Sequence, residues 1–218
     1  MTRIVFWSVS KEKANQMKIV EGGVSMPAVD RRKQVLDAAS KSFALFGYKA
    51  TTMEQVAKIA NVGKGTIYTF FTNKDELFDE ILLSAIMEMK RLAEREIRKD
   101  RDFFDNLYRV LDALLEFRSE HELFIKLSQE VRDIGTPKAH EGLTKVENGI
   151  VGYLKGIVEN AISIGEIKPL DAQVVSFVML KLYVALTTDF NQLHKPLSKE
   201  QIKEYMMVFL ADGLKASS

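Results

Sequence analysis

The sequence predicts an all-α protein: a small three-helix module followed by a larger helical bundle, about nine helices in all. Three observations lead there. After Met26, apolar residues recur at spacings of three and four almost without interruption. Only 4 prolines occur in 218 residues, so long helices are permitted. Helix-starting Thr, Asn and Ser residues alternate with Gly and Pro breaks at regular intervals, and no convincing strand, repeat or low-complexity tract is present.

Residues 1–26 carry little periodic signal beyond Ile4, Val5, Phe6 and Trp7, and are expected to be poorly ordered. The stretch 21-EGGVSM-26 can be back-translated as GAA-GGA-GGT-GTN-TCN-ATG. That contains a purine-rich ribosome-binding sequence just ahead of the Met26 codon, so Met26 is a candidate native start. The alternative is a basic arm that touches DNA.

The first helix is expected over 31–48, with Val35, Ala39, Phe43 and Phe46 on one stripe and Gly47 as a left-handed cap. A second opens at Thr52, with Gln55 at capping-box spacing and Val56, Ala57, Ile59 and Ala60 as its apolar face. A third short helix covers 64–70, after a turn in which Gly63 permits a positive φ. Asn73 and Glu76 repeat the capping-box spacing and start a long amphipathic helix to about Lys99. The remaining helices are expected at 102–118, 120–134, 138–164, 171–192 and 198–215, with breaks at Ser119, 135-GTP-137, 165-GEIKP-169 and 194-HKP-196. This divides the chain into a leader, 1–26, a first domain, 27–74, and a second, 75–218.

Composition narrows the function classes. Hydrophobic residues make up 46%, enough for a substantial core. With 0 cysteines there is no disulfide frame and no thiolate metal site, which suits a reducing cytoplasm. The start of the chain lacks a signal-peptide cleavage site. The most apolar stretch, 174-VVSFVMLKLYVAL-186, is broken by Ser176 and Lys181, so no run of membrane length and no membrane partner is expected. Net charge is +1, but it is unevenly spread. Residues 26–74 hold 8 basic and 3 acidic side chains, net +5; from Asp75 onward there are 19 and 25, net −6. A basic module joined to an acidic one suggests that the small part meets a polyanion.

The region 52–71 has helix-turn-helix spacing, two short helices joined by a turn of about three residues. Val62, Ile67 and Phe71 can plug the inner face, Ile67 and Phe71 being i and i+4. Lys64, Gly65, Thr66, Tyr68 and Thr69 then lie at the start and outer face of the second helix. Gly65 lets a backbone approach; threonines and the tyrosine offer hydroxyls to phosphate and methyls or a ring to bases. Thr52 and Lys74 mark flanking helix N-termini, which favour phosphate. Phe70 is divided between core packing and lying against a DNA backbone.

At these residues the chain resembles a known family. The run 52-TMEQVAKIANVGKGTIYTFFTNKDEL-77 is similar to the DNA-binding segment of TetR-family transcriptional regulators. The shared features are the Thr-initiated helix, the core spacing of Val56, Ala57 and Val62, the G-T-I-Y run followed by F, N-K and E-L, and the preceding Phe43, Gly47 and Tyr48. The resemblance covers about 31–77. It implies a homodimeric bacterial regulator, usually a repressor, with a helical effector and dimerisation domain. It also implies that Thr52, Lys64, Gly65, Thr66, Tyr68, Thr69 and Lys74 contact double-stranded operator DNA.

The expected partner surface is helices 171–192 and 198–215, pairing with a second copy. Val174, Val175, Val178 and Leu182 form the stripe on one, and Ile202, Met206, Phe209 and Leu210 on the other. A small, largely apolar effector would find Phe104, Tyr108, Phe124, Tyr153, Met179 and Tyr183 in the bundle; the tyrosines stand out because a buried hydroxyl wants a partner. His121, His140 and His194 are scattered, so no metal site is expected and no cofactor is implied. No nucleophile–base pair stands out, and 63-GKGT-66 lacks the spacing and preceding strand of a phosphate loop, so an enzyme is not expected. The competing reading is a helical ligand-binding or adaptor protein whose helix-turn-helix makes protein contacts.

Overall fold

The computed structural model describes residues 28–116 and 118–215. The leader with Met26, and the side chains of Phe117 and His121, lie outside the described residues. Within them the chain forms nine helices and no strand. Helices α1 (Ala28–Ala50), α2 (Met53–Ile59) and α3 (Lys64–Phe70) form the N-terminal unit. They lead into α4 (Lys74–Glu96), α5 (Phe103–Glu116), α6 (Arg118–Ile134) and α7 (Pro137–Ser163). The chain closes with α8 (Ala172–Leu193) and α9 (Lys199–Leu214).

The punctuation read from sequence operates in the structure. Thr52 and Gln55 form the expected reciprocal capping box, and the structure adds a second, not read from sequence, at Ser198 and Gln201. Gly135 takes φ 70 and donates its N–H to the Val131 carbonyl, and Pro137 then occupies the first turn of α7. Gly47 has the positive φ expected of a glycine cap, 80, with ψ 178 outside the left-handed helical well, and it ends the regular part of α1. Two boundaries move: Ser119 lies inside α6 rather than at a break, and α4 stops at Glu96; α8 ends within one residue of its expected end, with one π-helical turn at Ala185–Asp189.

Two cores hold the molecule. The first joins Val35, Ala39, Phe43, Val56, Ala57, Ile67 and Phe71 to Leu77, Phe78, Ile81 and Leu82 of α4. It continues into Leu123 and Leu127 of α6 and Ala139 and Val146 of α7. The packing of the N-terminal unit therefore runs on past residue 74, and α1 lies along α6. The second core unites α5, α7, α8 and α9 around Phe103, Leu111, Val158, Met179, Met206 and Leu210.

Several expected faces turn out otherwise. Phe46 is 45% exposed and Ile59 45% exposed, so neither joins its predicted stripe. On α8 and α9 the predicted partner stripes mix two faces. Val175, Ile202, Met206 and Leu210 are buried within the chain, whereas Val174, Val178 and Phe209 point outward with Phe177, Tyr205 and Val208. A spacing of three and four marks an apolar stripe but does not say whether the chain itself covers it. The expectation that no apolar run reaches membrane length is also corrected. α8, with 22 residues and a mean hydropathy of 1.3, is long and apolar enough by length and composition to span a bilayer. The apolar stretch weighed in sequence, 174–186, is only part of this helix, whose full extent, expected over 171–192, sets its length.

Candidate nucleic-acid interface and ligand cavity

The α2–turn–α3 unit is built outward from its plug. Ile67 and Phe71 are fully buried and Val62 half-buried, all against the first core. The tight turn is made by Asn61, at φ 52; Gly63 has φ −65. The positive φ expected at Gly63 thus falls two residues earlier, on a residue type that tolerates it. Gly63 instead precedes α3, and its carbonyl accepts from Thr66 N at 2.9 Å.

The outer face of α3 carries Lys64, Gly65, Tyr68 and Thr69, all exposed, with Thr66 half-exposed. A Cβ built at Gly65 would meet nothing within 4 Å, so the surface there is open to close approach. Tyr68 is 44% exposed, a large aromatic residue only partly covered by the protein. The Thr69 hydroxyl donates to the Thr66 carbonyl at 2.6 Å, which leaves its methyl and lone pairs facing out. Lys64 lies 2.5 Å from Glu54 of α2. That hydrogen bond holds the Glu54 carboxyl below its usual value and the Lys64 ammonium above its own, so Lys64 is fully charged. Phe70 is half-buried against the first core.

The flanks are more tightly tied than sequence suggested. The Thr52 hydroxyl is occupied with Gln55 N at 3.2 Å. Lys74 donates to the Tyr48 carbonyl at 2.9 Å and sits 4.2 Å above the Tyr48 ring. Tyr48 in turn donates to Asp75, and burial followed by that hydrogen bond pushes its phenol well above the ordinary value. Asn73 caps α4 by accepting from Glu76 N at 2.9 Å. Glu76 does not reach back to Asn73; it accepts from the backbone and hydroxyl of Thr72, each at 2.7 Å. Sequence reading missed Arg32, which pairs with Glu80 at 2.5 Å and lies 5.1 Å over the Phe71 ring. Such a pairing, 48 positions apart, leaves no local signal.

In the second core a cavity of about 350 Å³ opens between α4, α5, α7, α8 and α9. Its wall is almost all carbon, including Ile86, Met89, Leu107, Ile150, Leu154 and Met206. Three of the predicted ligand residues meet there: Tyr153, Met179 and Tyr183. Burial raises both phenols, with Glu94 adding to the effect at Tyr153. The other three do not line it. Phe104 packs edge-on to Phe103 at 5.2 Å, Tyr108 is 45% exposed under the Lys203 ammonium, and Phe124 belongs to the first core. Ile86, Met89 and Ile150, which do line it, look like ordinary core residues in sequence. Among the described residues no group of three or more His, Asp or Glu is placed to hold a metal ion.

A basic helix-turn-helix with an uncovered outer face, carried on a helical bundle, defines a DNA-binding transcriptional regulator. Residues 35–81 match the family model of bacterial regulatory proteins of the tetR family. The chain is 50% identical over 190 residues to the HTH-type transcriptional regulator YhgD of Bacillus subtilis, covering 87% of this chain and 100% of that one. It is 26% identical over 136 residues to the fatty acid metabolism regulator protein of the same organism, covering 62% of this chain and 70% of the relative. The crystal structure of reduced NemR from E. coli superposes with a TM-score of 0.70 at 18% identity, over 87% of this chain and 99% of that one. The chain belongs to the TetR family, and is a helix-turn-helix transcriptional regulator rather than an enzyme.

Proposed function

We propose that the chain is a homodimeric repressor, released from a palindromic operator when a small, largely apolar ligand fills the cavity. One observation carries this reading. α4 starts at the DNA-reading unit, and its C-terminal half supplies Ile86, Met89 and Ala93 to the cavity wall. A ligand that displaces this wall moves a helix of about 34 Å with the reading unit at its other end. The ligand acts only to the extent that it binds the released arrangement more tightly.

In this reading residues 27–74 bind DNA and 75–218 bind ligand and partner. α3 lies in the major groove, with Lys64, Gly65, Thr66 and Tyr68 towards bases and phosphates. Thr52, Thr69 and Lys74 flank them on the sugar–phosphate backbone. Lys74 also orients α1 on α4 through Tyr48. The outward apolar residues of α8 and α9, Val174, Phe177, Val178, Val208 and Phe209, pair with those of a second copy across a two-fold axis. That pairing accounts for an exposed α8 without a bilayer, and the operator places the protein in the cytoplasm.

The test is a gel-shift titration on the DNA upstream of the gene. Affinity should fall steeply with salt, and Lys64→Ala should lower the salt slope by about 1. Tyr68→Ala and Thr66→Ala should weaken operator binding more than binding to unrelated duplex. No salt-dependent DNA binding at all would favour the adaptor reading.

A further inference from the structure

We infer that the effector is an amphipathic anion with a chain of at least about a dozen carbons, its charged head seated at Arg98 and Lys99. This deepens the ligand-release reading and rests on it. The apolar cavity is not a closed chamber. A second cavity of about 340 Å³ adjoins it and shares Ala93, Leu107, Val110, Tyr153, Leu154 and Met179 with it. Its wall also includes polar groups that the first lacks: Arg98, Lys99 and Arg101 from the loop between α4 and α5, and Asn106 from the first turn of α5. A ligand lying through both spaces has carbon around it in the first and cations in the wall of the second.

The charges in this wall are unevenly committed. Arg101 is paired with Asp105 at 3.5 Å and lies 4.0 Å from Asp100. Glu166, the carboxylate in this wall, accepts from Phe103 N at 2.8 Å. Among the described residues neither Arg98 nor Lys99 has an ion-pair partner within 4.0 Å. Their loop is nonetheless held in place. The Asn106 amide donates to the Arg98 carbonyl at 2.9 Å and the Arg101 carbonyl at 3.1 Å, and its oxygen accepts from Arg98 N at 2.8 Å. Two uncommitted cations on a fixed loop, in the wall of a cavity that shares six residues with the apolar one, suit one anionic head.

The opposite orientation is disfavoured. Lys90 also borders the apolar cavity, but it is paired with Glu94 at 3.8 Å and lies 5.4 Å from the Tyr153 ring centre. Chain length follows from volume. An apolar cavity of about 150 Å³ accommodates benzene, so the first cavity, at 350 Å³, by itself holds roughly twice as many carbons, which is the minimum for a chain whose head lies in the second.

The experiment is calorimetric titration of the full chain with dodecanoate and dodecyl phosphate below their micellar concentrations and dodecanol below its solubility limit. The proposal expects at least one anion to bind tenfold or more tighter than the alcohol. The Arg98→Ala/Lys99→Ala double variant should abolish that preference and leave dodecanol affinity unchanged. Both side chains are exposed, and an unchanged melting temperature will verify the fold of the variant. A carboxylate preferred over phosphate points to a free acid, and the reverse to a phosphorylated head. Equal affinity for acid and alcohol, an anion preference that survives the double variant, or no binding of any of the three overturns the proposal. Operator gel shifts on the same samples separate the two readings: release by dodecanol as readily as by the anions sinks the head-group site but leaves the ligand-released regulator standing.

Discussion

Gly142 lies on α7 where that helix crosses α4, and a methyl added there has nowhere to go. Its Cβ would fall 2.6 Å from Leu82 Cδ1 and 2.8 Å from Phe78 Cε1, against an ordinary carbon–carbon contact of about 3.5–4.0 Å. Leu82 is 2% exposed and Phe78 0%, so neither can swing aside. Two effects of Gly142→Ala compete. Replacing a mid-helix glycine gains about 1 kcal/mol from helix propensity. Overpacking a filled core costs about 1–3 kcal/mol. Gly152 on the same helix supplies the control, because a Cβ there meets nothing within 4 Å and only the gain applies. The propensity gain cancels in the comparison, leaving Gly142→Ala less stable than Gly152→Ala by about 1–3 kcal/mol, or about 2–12 °C in Tm for a chain of this size. Thermal melts at one fixed protein concentration measure the gap, since association shifts Tm. The strain is relieved most easily by moving α4, so Gly142→Ala should also change operator affinity while Gly152→Ala does not. Equal Tm values for the two variants would refute the close α4–α7 crossing and the coupling argued from it.

Three further outcomes follow from the same structure. Val178→Asp and Phe209→Asp, at positions 47% and 59% exposed, should yield a folded monomer by light scattering with helical circular dichroism retained; a persistent dimer would move the interface elsewhere. Gly47→Ala forces a Cβ into φ 80 and against the buried Glu130 carboxylate, and should cost about 1–3 kcal/mol in urea denaturation, with Glu130→Ala restoring only part of it. The hydrogen bond from Lys203, then that from Lys199, holds the Asp112 carboxyl below its ordinary 3.8. A depressed carboxyl stabilises the fold above its unfolded value and loses that contribution as pH falls through its folded value. The stability difference between wild type and Asp112→Asn should therefore be constant above about pH 5 and close below about pH 4; a difference that persists into acid would show that the pair is not its source.

Local chemistry was legible from the residues. The Thr52–Gln55 box, the Asn73 cap on Glu76 N, the Gly135–Pro137 break and the i, i+4 plug of Ile67 and Phe71 depend on neighbours within one or two turns. Their geometry follows from backbone hydrogen bonding alone, and the resemblance over 31–77 rests on the same short-range pattern. Helix phase likewise separated Lys64, Gly65, Tyr68 and Thr69 from the inner face of α3. Where a choice of turn residue was nearly degenerate, as between Asn61 and Gly63, sequence picked the glycine and the packing picked the asparagine.

What tertiary structure decided is which apolar surface meets which. The stripes of α8 and α9 are periodic on more than one side, so sequence could not tell the buried Met206 from the exposed Phe209. Tyr108 and Tyr153 look alike as cavity candidates, yet one lies at the surface beneath Lys203 and the other lines the space shared by both cavities. Arg32–Glu80, Lys74–Tyr48 and the loop held by Asn106 join segments or ends of segments that periodicity treats as independent. The sequence by itself determined the helices, their caps and the face that α3 turns outward, because those are properties of one segment. The cavity, the cationic wall beside it and the contact of α7 on α4 exist only between segments, where burial depends on the summed shapes of five helices and on no single one of them.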